Sequence, residues 1–535
     1  MKSSWLGCAC ALFAAACGAG PEAPVEYDAP FTSDVATLLD FEFDGELTSS
    51  QSTNVSGQVR AQLLYTVGSL NAEPGVARLD KLQLSSVTST AAGGLTRVRY
   101  HARLPVAWGS KVNLPTSYTF VLPRRIDGGG QATFTSRYGQ RCNDGEGADV
   151  EVSNFWYHYR PRGCALSPDD VTSSPVRVSV SSQNTVAKYP EYHRVWEDGA
   201  LRVLAVFGKY AEDATTSGDA GISAYNAFLA ALRDQFPSAV TTPANLLPDP
   251  GVSSPDVTFE VTLPDGNLVS IVVLLVDKVA TVGAAFDKRY GELSPGADLI
   301  AYNGHAGLGL NVRALAQKGK FFPGKYQIFF MDGCDTFAYL DDALTSTRAP
   351  LNPDDPSSTK YMDRISNAMP AYFVNMADAS MALIRGLLNP AQPRSYGALF
   401  KDIDPSQVAV VTGEEDNLFT PGYDPHTTWN GFAADGAVGK AQTIRYQTET
   451  LPAGSYVFAM TPDPSASGGD ADLRIRAGSA PTITATYKCK SYIYNSNERC
   501  AITLAQPAKI YVAATGDSTA LARYRIDGWQ VGALE

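Results

Sequence analysis

The central part of the chain, from about residue 200 to 395, alternates compact apolar runs with segments whose apolar residues recur at helical spacing. In chain order the pattern predicts a strand at 201–207, a helix at 223–236, a strand pair at 257–276, a helix at 282–293, strands at 299–302, 326–331 and 371–376, and a helix at 378–388. Alternation of this kind predicts an open, mostly parallel sheet with helices on both faces.

Two β-rich regions flank this α/β part. Residues 36–195 show the two-residue alternation of strands, as at 59–65 and 95–100, and predict a β-sandwich or small barrel. Residues 440–535 alternate in the same way and predict a second β-sandwich. Residues 396–439 are expected to be a connecting segment. A chain of 535 residues is too long for one core, so several domains are expected.

An aromatic run, Phe-Trp-Tyr-His-Tyr, occupies residues 155–159 in the first β-rich region. We interpret it as a strand with one buried face, because aromatic side chains are enriched in half-buried strands. The alternative is a face that binds a ligand.

The first residues have the features of an export signal. Lys2 supplies a positive charge, and an apolar run too short to span a membrane stably continues to residue 16, directly before Cys17. This resembles a lipoprotein signal peptide (1–16) with Cys17 as the lipidated first residue, followed by a flexible tether at 17–35. Gly18 is not the Asp associated with inner-membrane retention, so outer-membrane or cell-surface placement is preferred. The alternative is a plain secretory signal.

The chain has eight cysteines, of which three lie in the signal region. In an oxidising compartment nearby cysteines tend to pair, so disulfides are expected between Cys142 and Cys164 and between Cys489 and Cys500. Cys334 is then the odd thiol. Such a thiol is either buried and inert or a nucleophile.

Two of the predicted strands end in the same way. Each apolar run leads to a glycine followed by a reactive side chain, His305 after the first run and Cys334 after the second. The carboxyl ends of neighbouring parallel strands form the ligand crevice of such a sheet. An ordinary thiol is mostly protonated at neutral pH, and a nearby imidazole can take its proton. The pattern therefore favours a Cys–His pair for nucleophilic catalysis.

These two strand ends resemble known motifs. Residues 302–305 (Tyr-Asn-Gly-His) resemble the His motif of the caspase-like clan of cysteine peptidases, which includes caspases, metacaspases, clostripain and gingipains. Residues 332–336 (Asp-Gly-Cys-Asp-Thr) resemble the D-x-C motif of metacaspases and clostripain. The resemblance covers about 200–390 and implies a caspase-like peptidase domain at 200–395.

The resemblance also implies roles for individual residues. His305 would be the general base and acid, and Cys334 the nucleophile. The oxyanion would be bound by backbone N–H groups near Gly307 and of Cys334. The family usually has Gly directly after the His, whereas this chain has Ala306 there and Gly307 next.

Two acidic residues are candidates for the substrate pocket. Asp332 stands where clostripain-like and metacaspase-like enzymes place an acidic residue, which implies cleavage after Arg or Lys; the alternative is a turn or cap residue. Asp378, beyond a later strand, is a second candidate. The loop after Cys334 is long and polar, so Arg348 or Lys360 is a candidate self-cleavage site.

The last domain has its own resemblance. Its segments 451–456, 469–473 and 509–512 resemble the pre-peptidase C-terminal domain of secreted bacterial peptidases. Such domains accompany peptidases without taking part in the chemistry. Asp470 and Asp472 could hold calcium, although a solvated turn is the simpler interpretation.

Several function classes lack support in the sequence. The formal net charge is −12 and there is no basic stripe, which argues against nucleic-acid binding. No zinc-peptidase motif, nucleophile elbow or Walker loop is present, and Cys–His chemistry requires no cofactor or metal. We therefore expect a membrane-anchored, extracytoplasmic cysteine endopeptidase acting on protein or peptide substrates. The alternative is a non-catalytic binding or adhesion lipoprotein on an inactive caspase-like scaffold.

Overall fold

The computed structural model describes residues 30–145, 150–264, 266–423, 431–463, 469–481, 489–490, 496 and 498–531. The predicted signal peptide 1–16, the predicted lipidation site Cys17 and most of the predicted tether lie outside these residues. In the described part of the chain, no helix is long and apolar enough to cross a membrane.

The N-terminal region combines strands with short helices. Its elements are β1 (Thr32–Ser33), β2 (Thr37–Ser49), α1 (Val55–Leu63), α2 (Tyr65–Asn71), β3 (Gly75–Ala77), β4 (Gln83–Ala92), β5 (Leu95–Trp108), β6 (Ser117–Pro123), α3 (Gly128–Tyr138), α4 (Phe155–His158) and β7 (Val171–Val180). Strand β1 joins the central sheet, and the other strands form one antiparallel sheet in the order β3-β5-β2-β7-β6, with β4 paired to β5.

The helices pack on one face of this sheet. Along β2, Phe41 and Phe43 are buried in a core shared with Leu63 of α1 and Phe155 of α4, whereas Glu42 points to the other face and pairs with a strand neighbour. Each buried aromatic ring contributes about 1.5–3 kcal/mol of transfer free energy. The prediction of a β-sandwich or barrel is therefore wrong, because helices take the place of a second sheet.

Two segments whose patterns predicted strands are helices. Val59 and Leu63, in the segment 59–65, lie one helical turn apart on the same buried face. The first four residues of the aromatic run 155–159 form α4, in which Phe155 enters the core. Both segments have an apolar spacing that suits a strand and a helix, and tertiary packing selects the helix.

One of the two predicted disulfides is described. Cys142 is bonded to Cys164, which ties the end of α3 to the loop after α4. A crosslink over a loop of this length typically contributes 2–4 kcal/mol by constraining the unfolded chain. The side chain of Cys489 lies outside the described residues, so its pairing with Cys500 stays a prediction.

The central region alternates strands and helices. Its elements are α5 (Tyr192–Val195), β8 (Ala200–Gly208), α6 (Ala220–Gln235), β9 (Val240–Thr242), β10 (Asp256–Thr262), β11 (Leu268–Val276), α7 (Ala284–Leu293), β12 (Leu299–Asn303), α8 (Leu310–Lys318), β13 (Gln327–Asp332), α9 (Ala343–Arg348), β14 (Met362–Asn367), α10 (Phe373–Leu387), α11 (Tyr396–Phe400) and β15 (Ala409–Thr412).

These strands build a mixed sheet of nine strands in the order β1-β15-β14-β13-β12-β8-β11-β10-β9. The five strands from β14 to β11 are parallel, and the strands at both edges run antiparallel. Helices α6 and α10 cover one face, and α7 and α8 cover the other. Because both faces are covered, strands such as β8 and β11 are largely apolar, as the sequence predicted.

Two boundaries differ from the predictions. The strand predicted at 371–376 is wrong: the strand beside β13 is β14, and Phe373 begins a helix. Strand β14 was missed because it buries polar side chains such as Asp363 and Ser366, so it lacks an apolar run. The segment predicted as a connection, 396–439, contributes α11 and β15 to the central fold, and β1 pairs with β15.

The C-terminal region is all β among its described residues. Its strands are β16 (Phe432–Val438), β17 (Thr443–Leu451), β18 (Gly454–Pro462), β19 (Ala471–Ala477), β20 (Cys489–Lys490), β21 (Glu498–Leu504), β22 (Ala508–Gly516) and β23 (Ala522–Val531). They form two four-stranded sheets, β16-β23-β18-β21 and β17-β22-β19-β20, that share one core. This arrangement agrees with the predicted β-sandwich.

Candidate active site

The structure places His305 and Cys334 at equivalent positions after neighbouring strands. Strands β12 and β13 are parallel, with Asn303 opposite Asp332, and each reactive residue follows its strand by two positions. The loops stay in contact beyond the strands, since Gly304 N donates to Asp332 O at 2.9 Å. A Cβ on Gly333 would lie 2.6 Å from Gly304 O, so only glycine permits this approach.

A single short segment, 371–373, touches both reactive side chains. The Cys334 thiol donates to Ala371 O at 3.5 Å, and the Phe373 ring lies 5.1 Å from the His305 ring, centroid to centroid. Cys334 is partly buried and carries a thiol outside any disulfide. The predicted His305 and Cys334 therefore lie at the same end of the sheet, and both contact the segment 371–373.

The tautomer of His305 follows from its partner. His305 Nε2 lies 3.2 Å from Tyr210 O, and a carbonyl oxygen can only accept, so Nε2 carries the proton of the neutral ring. Nδ1 then holds the lone pair and can act as a base. Packing between the rings of Tyr210 and Phe373 lowers the pKa of His305, although one side of the ring stays open to solvent. Neutral His305 is therefore favoured near pH 7.

The Tyr210 carbonyl that accepts from His305 belongs to a segment whose backbone is held by Asp219. This N-cap residue of α6 accepts hydrogen bonds from the backbone N–H groups of Tyr210, Ala211, Gly221 and Ile222, at 2.8–3.0 Å. Burial opposes its charge, but the four donors outweigh burial and lower the pKa of Asp219. Asp219 was not predicted as an N-cap, because the helix predicted there begins at residue 223 whereas α6 begins at Ala220.

The loop after His305 is fixed from within. Tyr302 Oη and Asn311 Nδ2 both donate to His305 O at 2.7 Å. Gly307 adopts a φ of 61°, a left-handed conformation that favours glycine. The oxyanion role of the backbone N–H groups of Gly307 and Cys334 stays a prediction.

Asp332 is enclosed among amides at the ends of three strands. Its Oδ1 accepts from Asn367 Nδ2 at 2.6 Å, and its Oδ2 has no hydrogen-bond partner. Asn303 Nδ2 and Asn367 Oδ1 also lack partners, and Ser380 donates to Asn303 Oδ1 at 2.9 Å. Burial raises the pKa of Asp332 to about 7. Unpartnered buried polar atoms usually bond to water or to a ligand, and this cluster can accept donors from either.

Asp332 is thus the last residue of a buried strand and not a turn residue. Asn303, Asn367 and Ser380 were not predicted as site residues. The available signal was a polar residue at the end of each apolar strand, which is recognisable for Asn303 but not for Asn367, whose strand was not predicted.

Asp378 does not join this cluster. It is exposed on α10, and Ser380, two residues further along the helix, faces the Asn303 amide. Two helical positions span about 200°, so Asp378 points to the opposite side. The prediction that Asp378 lines the pocket is therefore wrong for the arrangement observed.

The self-cleavage candidates do not lie in an exposed loop. Arg348 ends helix α9 and is fully buried, with its guanidinium donating to Gln327 Oε1, Lys325 O and Tyr361 O. The Lys360 side chain is largely covered and pairs with Asp354 at 2.7 Å. Cleavage after Arg348 would require local unfolding, so this prediction is wrong for the folded chain, and Lys360 is partly protected.

Calcium binding at Asp470 and Asp472 stays a prediction. Asp472 is buried and its Oδ2 accepts from Arg474 at 2.7 Å, so a cation already neutralises it. Among the described residues there is no group of three His, Cys, Asp or Glu side chains arranged to hold a metal ion.

Comparison with known proteins places no family name on this chain. No family model matches it, and no curated protein matches it. Solved structures that match in part include the Yersinia pseudotuberculosis-derived mitogen (10% identity, 20% of this chain and 90% of that chain, TM-score 0.15) and vEP C-ter 100 (23% identity, 20% and 92%, TM-score 0.15). CapF with a tropolone inhibitor matches at 9% identity over 63% of this chain and 97% of that chain, also with a TM-score of 0.15. Similarities at this level carry no argument about fold or function.

Proposed function

We propose that this chain is a cysteine endopeptidase with a caspase-like central domain, acting outside the cytoplasm. The observation that carries the proposal is the position of His305 and Cys334, each two residues beyond one of two adjacent parallel strands, with segment 371–373 against both side chains. Nucleophilic catalysis by cysteine requires a neutral imidazole within reach of the thiol, and the two side chains follow adjacent strands at the same end of the sheet.

The reaction follows from these two side chains. His305 Nδ1 takes the proton of the Cys334 thiol, and Sγ bonds to the carbonyl carbon of the scissile peptide. The imidazolium then gives its proton to the leaving amine as the C–N bond breaks, which leaves a thioester on Cys334. Water attacks the thioester while Nδ1 takes its proton, and the acid product leaves with the thiol restored.

Asp332 supports a preference for a basic residue before the scissile bond. Its unpartnered Oδ2 sits one residue from Gly333 and two from the nucleophile, and an incoming Arg or Lys would supply the missing donors. Because Asp332 is enclosed, a substrate must displace the surrounding amides to reach it. Hydrogen bonds to charged groups contribute about 1.5–3 kcal/mol, so a preference of roughly 10- to 100-fold is expected.

Two features support a location of this chain outside the cytoplasm: its first residues and the disulfide between Cys142 and Cys164. Lys2, the apolar run and Cys17 suit a lipoprotein signal, and the Cys142–Cys164 bond fits an oxidising compartment. We propose that lipid on Cys17 anchors the mature chain to a membrane. The C-terminal β-sandwich would accompany the peptidase without contributing to the chemistry.

The test is hydrolysis of fluorogenic peptides that end in Arg, Lys, Leu or Asp before the reporter group. We expect kcat/KM for Arg and Lys to exceed that for Leu by about 10- to 100-fold, and Asp332→Asn to remove this preference. The carboxyl is charged only above its pKa of about 7, so the preference should grow as the pH rises through that value.

Asp363→Asn is the matched control, since Asp363 is also fully buried in a central strand but lies near the opposite end of the sheet. It should leave the preference unchanged. An Arg preference that survives in Asp332→Asn would contradict the assignment of Asp332, and hydrolysis of none of the peptides under reducing conditions would contradict the peptidase itself.

A further inference from the structure

The residue after the nucleophile is held by the N-terminal domain. Asp335 Oδ2 accepts from Asn71 Nδ2 at 2.8 Å and from the Tyr157 hydroxyl at 3.1 Å. Asn71 ends helix α2, and Tyr157 lies on helix α4, so both donors belong to the domain that precedes the central sheet. Two separate helices of the N-terminal domain thus donate to one carboxylate of the central domain.

Asp335 sets the direction of the chain at Cys334. It has a φ of 54°, a left-handed conformation that side chains other than glycine rarely adopt. Its carbonyl accepts from Ala338 N at 2.8 Å and opens the 3₁₀ turn Thr336–Tyr339, while its own N–H donates to Met369 O at 3.2 Å. A strained conformation of this kind persists only where the surroundings hold it in place.

The apolar side of the same turn is also covered by the N-terminal domain. Phe337 is buried in a cluster that includes Leu38, Val67 and Ala107. The ring of Tyr339 lies 6.4 Å from the ring of Trp156, next to the Tyr157 contact. The two domains are therefore joined at this turn by a packed core as well as by hydrogen bonds.

The Asp335 carboxylate depends on its two donors. Asp335 is fully buried, which raises its pKa, and the hydrogen bonds from Asn71 and Tyr157 act in the opposite direction. A buried carboxylate that loses a donor pays most of the desolvation cost of that group. Loss of either donor would therefore favour a different conformation of the turn and of the thiol beside it.

We infer that Asn71 and Tyr157 are positioning residues for Cys334, and that the N-terminal domain is an integral part of the catalytic unit. The inference rests on the proposed peptidase function. It gives the helical face of the N-terminal domain a specific role, which is to fix Asp335 and thereby the direction in which the nucleophile points. The aromatic run 155–159 is then an interdomain contact and neither a strand nor an isolated ligand face.

The test compares Tyr157→Phe with Tyr159→Phe in the full mature chain. Each variant loses one phenolic hydrogen bond, and the two tyrosines are two residues apart, but Tyr159 donates to Val121 O inside the N-terminal core, away from the turn. For Tyr157→Phe we expect kcat to fall by about 10- to 100-fold, because small misplacements of a reacting group have effects of this size. We expect KM within twofold of wild type, and no loss of kcat in Tyr159→Phe.

Amide hydrogen exchange supplies a readout that does not need hydrolysis. The amides of peptides covering residues 333–340 should exchange faster in Tyr157→Phe than in wild type. In Tyr159→Phe their exchange rates should match those of wild type. Unchanged exchange in Tyr157→Phe would overturn the inference even if kcat fell, and so would equal losses of kcat in both variants. If wild type hydrolyses no peptide, the proposed function fails and with it the catalytic part of the inference, whereas faster exchange in Tyr157→Phe would still support the structural part, that Tyr157 fixes this turn.

Discussion

Replacement of Cys334 by alanine is expected to lower kcat for peptide hydrolysis by roughly 10⁴-fold or more, to the background of the assay. The reason is that the thioester forms on Cys334 Sγ, so the variant has no nucleophile at the end of β13. The fold should be kept, since the hydrogen bond from the thiol to Ala371 O is weak. Thermal unfolding of the same sample checks this second expectation.

His193→Ala and His305→Ala form the matched pair for the base. Both histidines contact aromatic rings, but His193 packs on Phe419, away from the two strand ends. His305→Ala should lose most of the activity, and His193→Ala should keep it. Substantial hydrolysis by Cys334→Ala would contradict the account, because it would place the activity elsewhere in the chain or in a contaminant.

Arg348→Met is expected to destabilise the central domain by about 3–5 kcal/mol. The guanidinium is fully buried, donates to Gln327 Oε1 and to the carbonyls of Lys325 and Tyr361, and lies 5.2 Å from the centroid of the Phe321 ring. Burial lowers its pKa to about 10, so it is still charged at neutral pH. Methionine fills much of the same volume but removes the guanidinium donors of Gln327 Oε1 and Lys325 O, whereas Tyr361 O keeps the N–H of Gln327.

Arg289→Met is the control for this variant. Arg289 pairs with Asp256 at 2.8 Å on the surface, where an ion pair contributes at most about 1 kcal/mol. Thermal unfolding should separate the two variants by several degrees. Brief digestion of the native wild-type chain with trypsin, which cuts after Arg and Lys, checks the burial: early cleavage after Arg348 would contradict it.

Four of the five parallel strands of the central sheet, β8, β11, β12 and β13, could be predicted from the sequence, because they are apolar and buried on both faces. A strand such as β8 must then be apolar along its whole length, and this is visible without a structure. Strand β14 escaped because Asp363, Arg364 and Ser366 are satisfied or enclosed by distant residues, which no local pattern reports. Segments 59–65 and 155–159 were assigned as strands because their apolar spacing fits both periods, and only the sheet they pack against decides between them.

The candidate site also has residues that could be predicted from the sequence and residues that could not. His305 and Cys334 were predictable, since each follows a glycine at the end of an apolar strand, and adjacent parallel strands end together. The partners of the site were not. Asp219 acts through a backbone carbonyl, and Asn71 and Tyr157 reach Asp335 from more than 170 residues away in the chain. Contacts of that kind depend on how the domains pack, and packing leaves no short-range signal.

The most direct test of the central claim is labelling of Cys334 by a peptide that ends in arginine and carries a thiol-reactive chloromethyl ketone. Intact mass and peptide mapping should show one adduct, on Cys334, that forms faster than with the matching aspartate reagent and does not form in His305→Ala. Iodoacetamide serves as the control for an accessible thiol. The contradicting result has three parts: iodoacetamide labels Cys334, the arginine reagent reacts no faster than the aspartate reagent, and both reagents label His305→Ala as fast as wild type. Cys334 would then be an ordinary thiol, and the chain would not be this peptidase.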